Sequence, residues 1–268
     1  MNNPIKDALS KGKAVIGTMI VQVREPAIIQ LFAEFGLDYM FIDMEHGPYS
    51  IETAADLILV ARLAGITPLV RVGDTQYPLY SRILDAGAMG IMTPRVETVE
   101  QVERIIQYTK YPPLGKRGFS RLASHVNFSD INVAEYVPYA NENILNIIQI
   151  ESKTAVENIE DLIRVPGVDG VIMGMDDLSL SLGVPGDTHH PLAVEMLERV
   201  VAACQKQGMP WGLHIPDTER LEAWIKRGMQ LVTFSSDIWM LQQVLRRDVK
   251  ILRQAIDAAQ LVKTTGKE

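Results

Sequence analysis

A single cysteine, Cys204, stands among 268 residues, which leaves no partner for an internal disulfide and no basis for a cysteine-based metal site. Such scarcity fits a reducing, cytoplasmic setting rather than a disulfide-stapled secreted fold. Cys204 lies in VVAACQKQG, an amphipathic helix-like stretch, and is expected to pack rather than react. Long apolar runs are also missing. AVIGTMIV follows Lys11 and Lys13 but is short, lacks a small-residue cleavage site and stops at QVRE, so a signal peptide is not expected. No stretch approaches the ~20 apolar residues of a membrane span. Basic clusters are absent as well: net charge is −7, with acidic and basic residues interleaved. That excludes the concentrated Lys and Arg of a nucleic-acid or anionic-membrane surface. No G-x-G-x-x-G follows the first strand-like run, which argues against a nucleotide cofactor on an open doubly wound sheet.

What is present is ample core material, 47% apolar against 22% charged residues, and a repeated phrase. Six times a helix-like segment ends at a glycine and a short apolar run follows: FGLDYMFID, AGITPLVRV, AGAMGIMTP, PGVDGVIMG, QGMPWGLHI and RGMQLVTFS. Glycine just past a helix end takes the left-handed cap without steric cost. The runs are continuous rather than alternating, as in parallel strands buried on both faces. AVIGTMI (14–20) and ILNIIQIE (144–151) add two more strands. Helix-length amphipathic segments lie near 26–35, 51–64, 77–86, 98–109, 131–142, 153–164, 191–207 and 217–227, with a longer one from 238 to about 262. Eight strands alternating with helices at this length predict an α/β fold, a single (β/α)8 TIM barrel over residues 1–268. The longest irregular stretch, 111–128, reads as a functional loop whose side of the barrel is open.

Active sites of such barrels form at the C-terminal ends of the strands. Those positions hold Asp43, Glu45 and His46; Arg71; Arg95; Gln149 and Glu151; Asp176 and Asp177; His214; and Ser235 with Ser236. Period-2 alternation puts Gln149 and Glu151 on one face and Ile148 and Ile150 on the other. A charge in so apolar a run needs a partner, a metal or a cavity. Glu151 and Asp177 suit a hard divalent cation, or else pair with Arg71 in a buried ion cluster. His46 is either catalytic or a structural histidine bonded to Asp43. Arg95 and Glu97 read as a structural ion pair, and His189 and His190 as capping-region residues ahead of a helix near Pro191. None of the eleven lysines falls within an apolar strand, which disfavours a Schiff-base lysine. Strands seven and eight lack Gly-rich turns for a phosphate, so a phosphorylated substrate is not expected.

FIDMEHGPYS, PLVRV, ILDAGAMGIMTPRVET, YPPLGKRG, IIQIES and GVDGVIMGMDDLS occur in this order over roughly residues 15–235. Together they resemble the metal-dependent, pyruvate-using class II aldolases, the family of 4-hydroxy-2-oxoheptanedioate aldolase and 2-keto-3-deoxy sugar-acid aldolases, related to the citrate lyase β subunit. The resemblance implies a barrel of the phosphoenolpyruvate/pyruvate-binding type. It also implies an aldolase of aromatic or sugar-acid catabolism that reversibly cleaves a 4-hydroxy-2-oxo acid to pyruvate and an aldehyde through a metal-stabilised enolate. Glu151 and Asp177 would then bind Mg2+ or Mn2+, with Co2+ a further candidate. Arg71 would contact the keto oxygen and Gln149 would position the oxo acid. His46, oriented by Asp85, would handle the proton of the aldol hydroxyl. Backbone N–H groups near Asp176 and Asp177 would hold the pyruvate carboxylate. A homo-oligomer, a hexamer by resemblance, with the C-terminal helix exchanged between subunits, is expected too. Two other readings are carried: oxaloacetate decarboxylation at the same site, and a non-catalytic oxo-acid-binding barrel. One departure stands out. The family pattern G-P-x-D-L-S is here Gly174-Met175-Asp176-Asp177-Leu178-Ser179, and the additional acid, Asp176, is expected to point away from the site.

Overall fold

In the computed structural model, which describes residues 2–265 and side chains to residue 260, the apolar runs form parallel strands. They are β1 (Val15–Ile20), β2 (Tyr39–Asp43), β3 (Thr67–Arg71), β4 (Gly90–Thr93), β5 (Leu145–Ile150), β6 (Gly170–Met173), β7 (Trp211–Ile215) and β8 (Leu231–Ser236). Each pairs with the next, and β8 returns to β1 to close the barrel. The expected α/β barrel is therefore the observed one.

Alternation decides what each strand gives to which layer. Tyr39, Phe41, Leu69, Leu145, Ile147 and Ile172 fill the lumen, while Met40, Ile42, Val70, Ile148 and Ile150 pack outward against the helices. Fully burying such a side chain contributes ~1.5–3 kcal/mol, so both layers are stabilised by one period-2 pattern. Continuing that alternation upward, Asp43, Arg71 and Gln149 replace apolar groups at the last lumen level of β2, β3 and β5. Asp43 and Arg71 are register partners in the β2–β3 ladder.

Local signals set the helix ends. Ser50 caps helix Ile51–Ala64 by accepting from the Thr53 N–H, and Gly65 ends it in the left-handed conformation. Thr98 and Gln101 form a reciprocal capping box on helix Val99–Thr109. Three features depart from expectation. A short helix, Pro4–Ser10, plugs the N-terminal end of the barrel: Ile5 and Leu9 enter the lumen cluster, and the Asn3 amide donates to Met89 O and Asn143 O. The single helix expected over 153–164 is two, Lys153–Glu157 and Ile159–Leu162. Asn158 breaks it while donating to Glu97 O at 2.9 Å. Helix Met175–Ser181, too short to show a period, follows β6.

The 111–128 loop belongs to the N-terminal end, not the catalytic mouth. It follows helix Val99–Thr109, which descends from β4, and Arg117 within it binds Asp85 at 2.6 Å. Helix Asp237–Thr265 touches β1 and β8 at its start and then leaves the barrel. Its apolar stripe, Leu241, Leu245, Val249, Leu252 and Ile256, is exposed at helical spacing. Within this chain the helix does not close its own barrel.

The β1–β8 seam is tied at the top by Asp237. Its buried carboxylate accepts from the backbone N–H groups of Val21, Gln22 and Val23 at 3.0, 3.0 and 2.7 Å. Asp237→Ala strands all three donors and is expected to cost about 2–4 kcal/mol, read as a lower urea midpoint at unchanged m-value. A midpoint equal to wild type would show that water replaces the carboxylate.

Candidate active site

At the C-terminal end of the barrel a cavity of about 250 Å3 is bounded by Asp43, His46, Arg71, Gln149, Asp176 and Asp177, with His214 and Trp239 on the far wall. Arg71, buried at the end of β3, is gripped in a planar fork: Nε donates to Asp43 Oδ1 at 2.8 Å and Nη2 to Oδ2 at 2.7 Å. Its Nη1 lies 3.4 Å from both Gln149 Oε1 and Glu45 Oε2. Burial opposes charge on Asp43. The Arg71 guanidinium and the N–H groups of His46 and Glu45 outweigh that and hold its carboxyl below the usual range. Asp43 therefore supports Arg71 and also accepts from the backbone N–H of His46 at 3.3 Å; the His46 ring is not bonded to it. That ring is mostly exposed at the cavity mouth, with Nε2 3.9 Å from Glu45 Oε2.

Glu151 sits just past β5, and its Oε2 accepts from Gln149 Nε2. Its Oε1 accepts the Arg95 N–H at 2.6 Å, an amide aimed there because Arg95 holds the left-handed φ of 56°. Burial, then the neighbouring Asp177 and Glu45 charges, push Glu151 up to about 7, against the pull of those two donors. A Cβ on Gly174 would stand 2.6 Å from Glu151 Oε2, so glycine is what keeps the approach to this carboxylate open. The ion cluster with Arg71 does not form, because Arg71 is spent on Asp43 and Glu45. Nor does the Arg95–Glu97 pair: Arg95 Nε reaches Glu45 at 3.2 Å, and Glu97 accepts from Ser152. Asp176 is a correction. Expected to point away, it is among the residues that line the cavity.

Asp85 is a second correction. Helix Tyr77–Asp85 starts above β3 and runs down toward β4, leaving Asp85 at the opposite end of the barrel beside Arg117 and His125. Within one chain it does not orient His46; Asp43 and Glu45 are the carboxylates at that histidine. Lys110 shares that far end. It is buried, donates to Asn141 O and Ile144 O, and burial with the neighbouring Lys6 charge brings its pKa down to about 8. A lysine so tuned suits Schiff-base chemistry, yet it stands below β5, and among the described residues no lysine lines the catalytic cavity.

This chain's match to the family model for HpcH/HpaI aldolase/citrate lyase spans residues 18–243. It belongs to the HpcH/HpaI aldolase/citrate lyase family. A 2-keto-3-deoxy-L-rhamnonate aldolase from Klebsiella pneumoniae subsp. pneumoniae is 30% identical over 97% of this chain and 96% of that enzyme. The crystal structure of an HpcH/HpaI aldolase from Desulfitobacterium hafniense DCB-2 superposes with a TM-score of 0.89 at 38% identity, covering 92% of this chain and 96% of that one. The citrate synthase SbnG follows the same fold at a TM-score of 0.85 and 29% identity, over 94% and 98%. The chain is thus a class II aldolase-type carbon–carbon lyase, and the reading as a non-catalytic binding barrel gives way. No helix among its described residues is long and apolar enough to cross a membrane.

In this family member His190 stands where the capping reading put it, and His214, which strand-end reading left open, acquires a place. His190 caps helix Pro191–Gln207, its Nδ1 accepting from the Leu192 N–H at 3.3 Å. His214 stacks on Trp239 at 5.5 Å and 8°, and Ser235 O accepts from its Nε2 at 2.8 Å. Trp239, three residues past the end of β8, carried no chemical signal that could have singled it out. Burial, with the Arg71 charge nearby, pulls His214 down to about 4, so the ring is neutral at pH 7. A base with a depressed folded pKa contributes stability fully above pH 6.5, progressively lost on acidification toward 4. The span corresponds to up to about 3 kcal/mol. Unfolding free energies at pH 7 and pH 5 are expected to differ less in His214→Gln than in wild type; equal differences would refute the assignment.

Proposed function

We propose that this chain is a divalent-metal-dependent aldolase that reversibly cleaves a 4-hydroxy-2-oxo acid to pyruvate and an aldehyde. One observation carries the reading: Asp177 lines the cavity, the Glu151 carboxylate neighbours it beside Gly174 of the cavity wall, and the nearby guanidinium of Arg71 is committed elsewhere. Among the described residues no group of three or more His, Cys, Asp or Glu side chains forms a metal cage. Two hard oxygen donors beside the space that Gly174 leaves open nevertheless fit Mg2+ or Mn2+, with coordination positions to spare for substrate and water. When bound, such an ion polarises the keto and carboxylate oxygens of the oxo acid.

The chain's own groups do the rest. Arg71 Nη1, the part of the fork not bound to Asp43, donates to the C2 oxygen as negative charge grows there. Gln149 sets the plane of the oxo acid, and the N–H groups opening helix Met175–Ser181 face its carboxylate. His46, at the mouth, accepts the proton of the C4 hydroxyl as the C3–C4 bond breaks, and returns it on addition. A homo-oligomer, a hexamer by family likeness, is part of the same reading, with a second copy covering the exposed stripe of helix Asp237–Thr265.

The test is pyruvate release from a panel of 4-hydroxy-2-oxo acids. Release is expected, is lost in EDTA and returns with Mn2+. EDTA-insensitive turnover sinks the metal role, and a rate on oxaloacetate exceeding every hydroxy-oxo acid favours a decarboxylase.

A further inference from the structure

Seven buried side-chain polar atoms among the described residues lack a hydrogen-bond partner, and four of them belong to residues around one cavity. It measures about 70 Å3 and lies at the N-terminal end of the barrel, bounded by helix Tyr77–Asp85, the 111–128 loop and helix Val133–Asn143. The four atoms are Arg117 Nε, both ring nitrogens of His125 and the Tyr139 hydroxyl. The Arg117 and His125 side chains are only 1% and 5% exposed. Native interiors leave few polar atoms in this state, and four around one space call for a bound partner.

Charge decides the kind of partner. The guanidinium groups of Arg62 and Arg117 line the cavity and no carboxylate does. Arg117 Nη2 is paired with Asp85 at 2.6 Å, behind the cavity wall. Arg62 donates to neutral acceptors, Ser124 O at 2.7 Å and Asn127 Oδ1 at 2.6 Å. His125 Nδ1 stays 3.8 Å from the same Asp85 oxygen, beyond hydrogen-bond reach. Burial, then the Arg117 charge, lowers the pKa of this ring, so it adds a donor without a charge. One carboxylate therefore stands against two guanidinium groups. Water would satisfy the donors and leave the excess charge, and a cation would add to it. The volume matches about two waters at ~30 Å3 each, enough for a carboxylate with one or two further carbons and too little for a sugar acid. Leu84, Ala88 and Ile144 supply an apolar wall for the alkyl end. A phosphate would turn oxygens onto that wall and lose their hydration without return. We propose that this cavity binds a short-chain monocarboxylate, its oxygens held by Arg117, His125 and Tyr139 and its charge balanced by Arg62. When occupied, it fastens the 111–128 loop, which supplies Arg117 and His125, to helix Val133–Asn143, which supplies Tyr139. Within one chain the site lies at the end of the barrel opposite the catalytic cavity, and it stands independently of the aldolase reading.

Acetate is the probe, titrated calorimetrically into the full chain in EDTA, with chloride holding ionic strength constant. One acetate per chain is expected. Its Kd rises about tenfold in His125→Phe and in Tyr139→Phe, each of which deletes one hydrogen bond to a charged group. Tyr139→Phe removes only a hydroxyl that has no partner in the chain, so its fold is kept and its result stands by itself. Arg71→Lys, altered in the catalytic cavity, keeps the wild-type Kd, and amide exchange across 111–128 slows when acetate is bound. The proposal is overturned by the absence of saturable binding, by a Kd unchanged in both phenylalanine variants, or by a Kd that moves in Arg71→Lys instead. Acetamide binding as tightly as acetate would show that charge is not read, and tighter binding of inorganic phosphate would show the wrong anion class; either overturns it as well.

Discussion

Glu151→Gln is expected to lower kcat/KM for pyruvate release by at least about 10^3-fold, ~4 kcal/mol of transition-state stabilisation. The amide is nearly isosteric, so the cavity is kept while the charge is removed. Glu151 uses both oxygens as acceptors, for the Arg95 N–H and for Gln149 Nε2, and glutamine keeps only one. A second readout separates loss of a metal ligand from loss of local order. Mn2+ at a hundredfold excess over its Kd stabilises a protein that binds it only when folded by about 2.7 kcal/mol. Wild type is expected to show that rise in its denaturant midpoint and the glutamine variant none. Mn2+ stabilisation of wild-type size in the variant would remove Glu151 from the ligand set.

Arg71 stands at the centre of the other large effect. Arg71→Ala leaves the buried Asp43 without its guanidinium and Glu45 with Arg95 alone, an undercompensated arrangement expected to cost about 3–5 kcal/mol of stability. Pyruvate release should fall at least about 10^2-fold, because the donor proposed for the C2 oxygen disappears. Arg71→Lys is the informative companion. An ammonium can neutralise Asp43 but cannot grip both its oxygens and still reach toward Gln149. Much of the stability should return and little of the activity. A lysine variant with near wild-type kcat/KM would show that charge alone suffices there, and the bidentate fork would lose its role.

Most of the barrel was legible because its signals are short in range. The continuous runs that follow Gly36, Gly65 and Gly87 mark strand starts, since a left-handed cap depends only on neighbouring residues. Alternation in NIIQIE placed Gln149 with Glu151 and away from Ile148 and Ile150, and the folded chain keeps that division. Helix Pro4–Ser10 was missed although Asn3 and Pro4 are a recognisable cap and first-turn pair, because seven residues carry too few apolar positions for a period.

The site was legible as a set of residues and not as a set of partners. Strand-end reading named Asp43, Arg71, Gln149, Glu151 and Asp177, because ionisable groups in apolar runs stand out at any distance. Which acid holds Arg71 was open until β2 and β3 aligned in register, bringing together residues 28 apart in sequence. Asp85 appears next to a strand in sequence, but its helix carries it to the other end of the barrel. Lys110 outside any strand gave no sign of burial or of a pKa near 8, since both depend on Lys6, Asn141 and Ile144 closing around it. Asp176 and Arg220 line one cavity only because β6 and β7 are neighbours in the closed barrel. Composition and periodicity by themselves determined the barrel and the level at which its polar groups lie, since burial alternation and helix capping act over a few residues. Tertiary structure alone decided which charges pair and which carboxylates line the cavity, because electrostatic partners are set by distance in space.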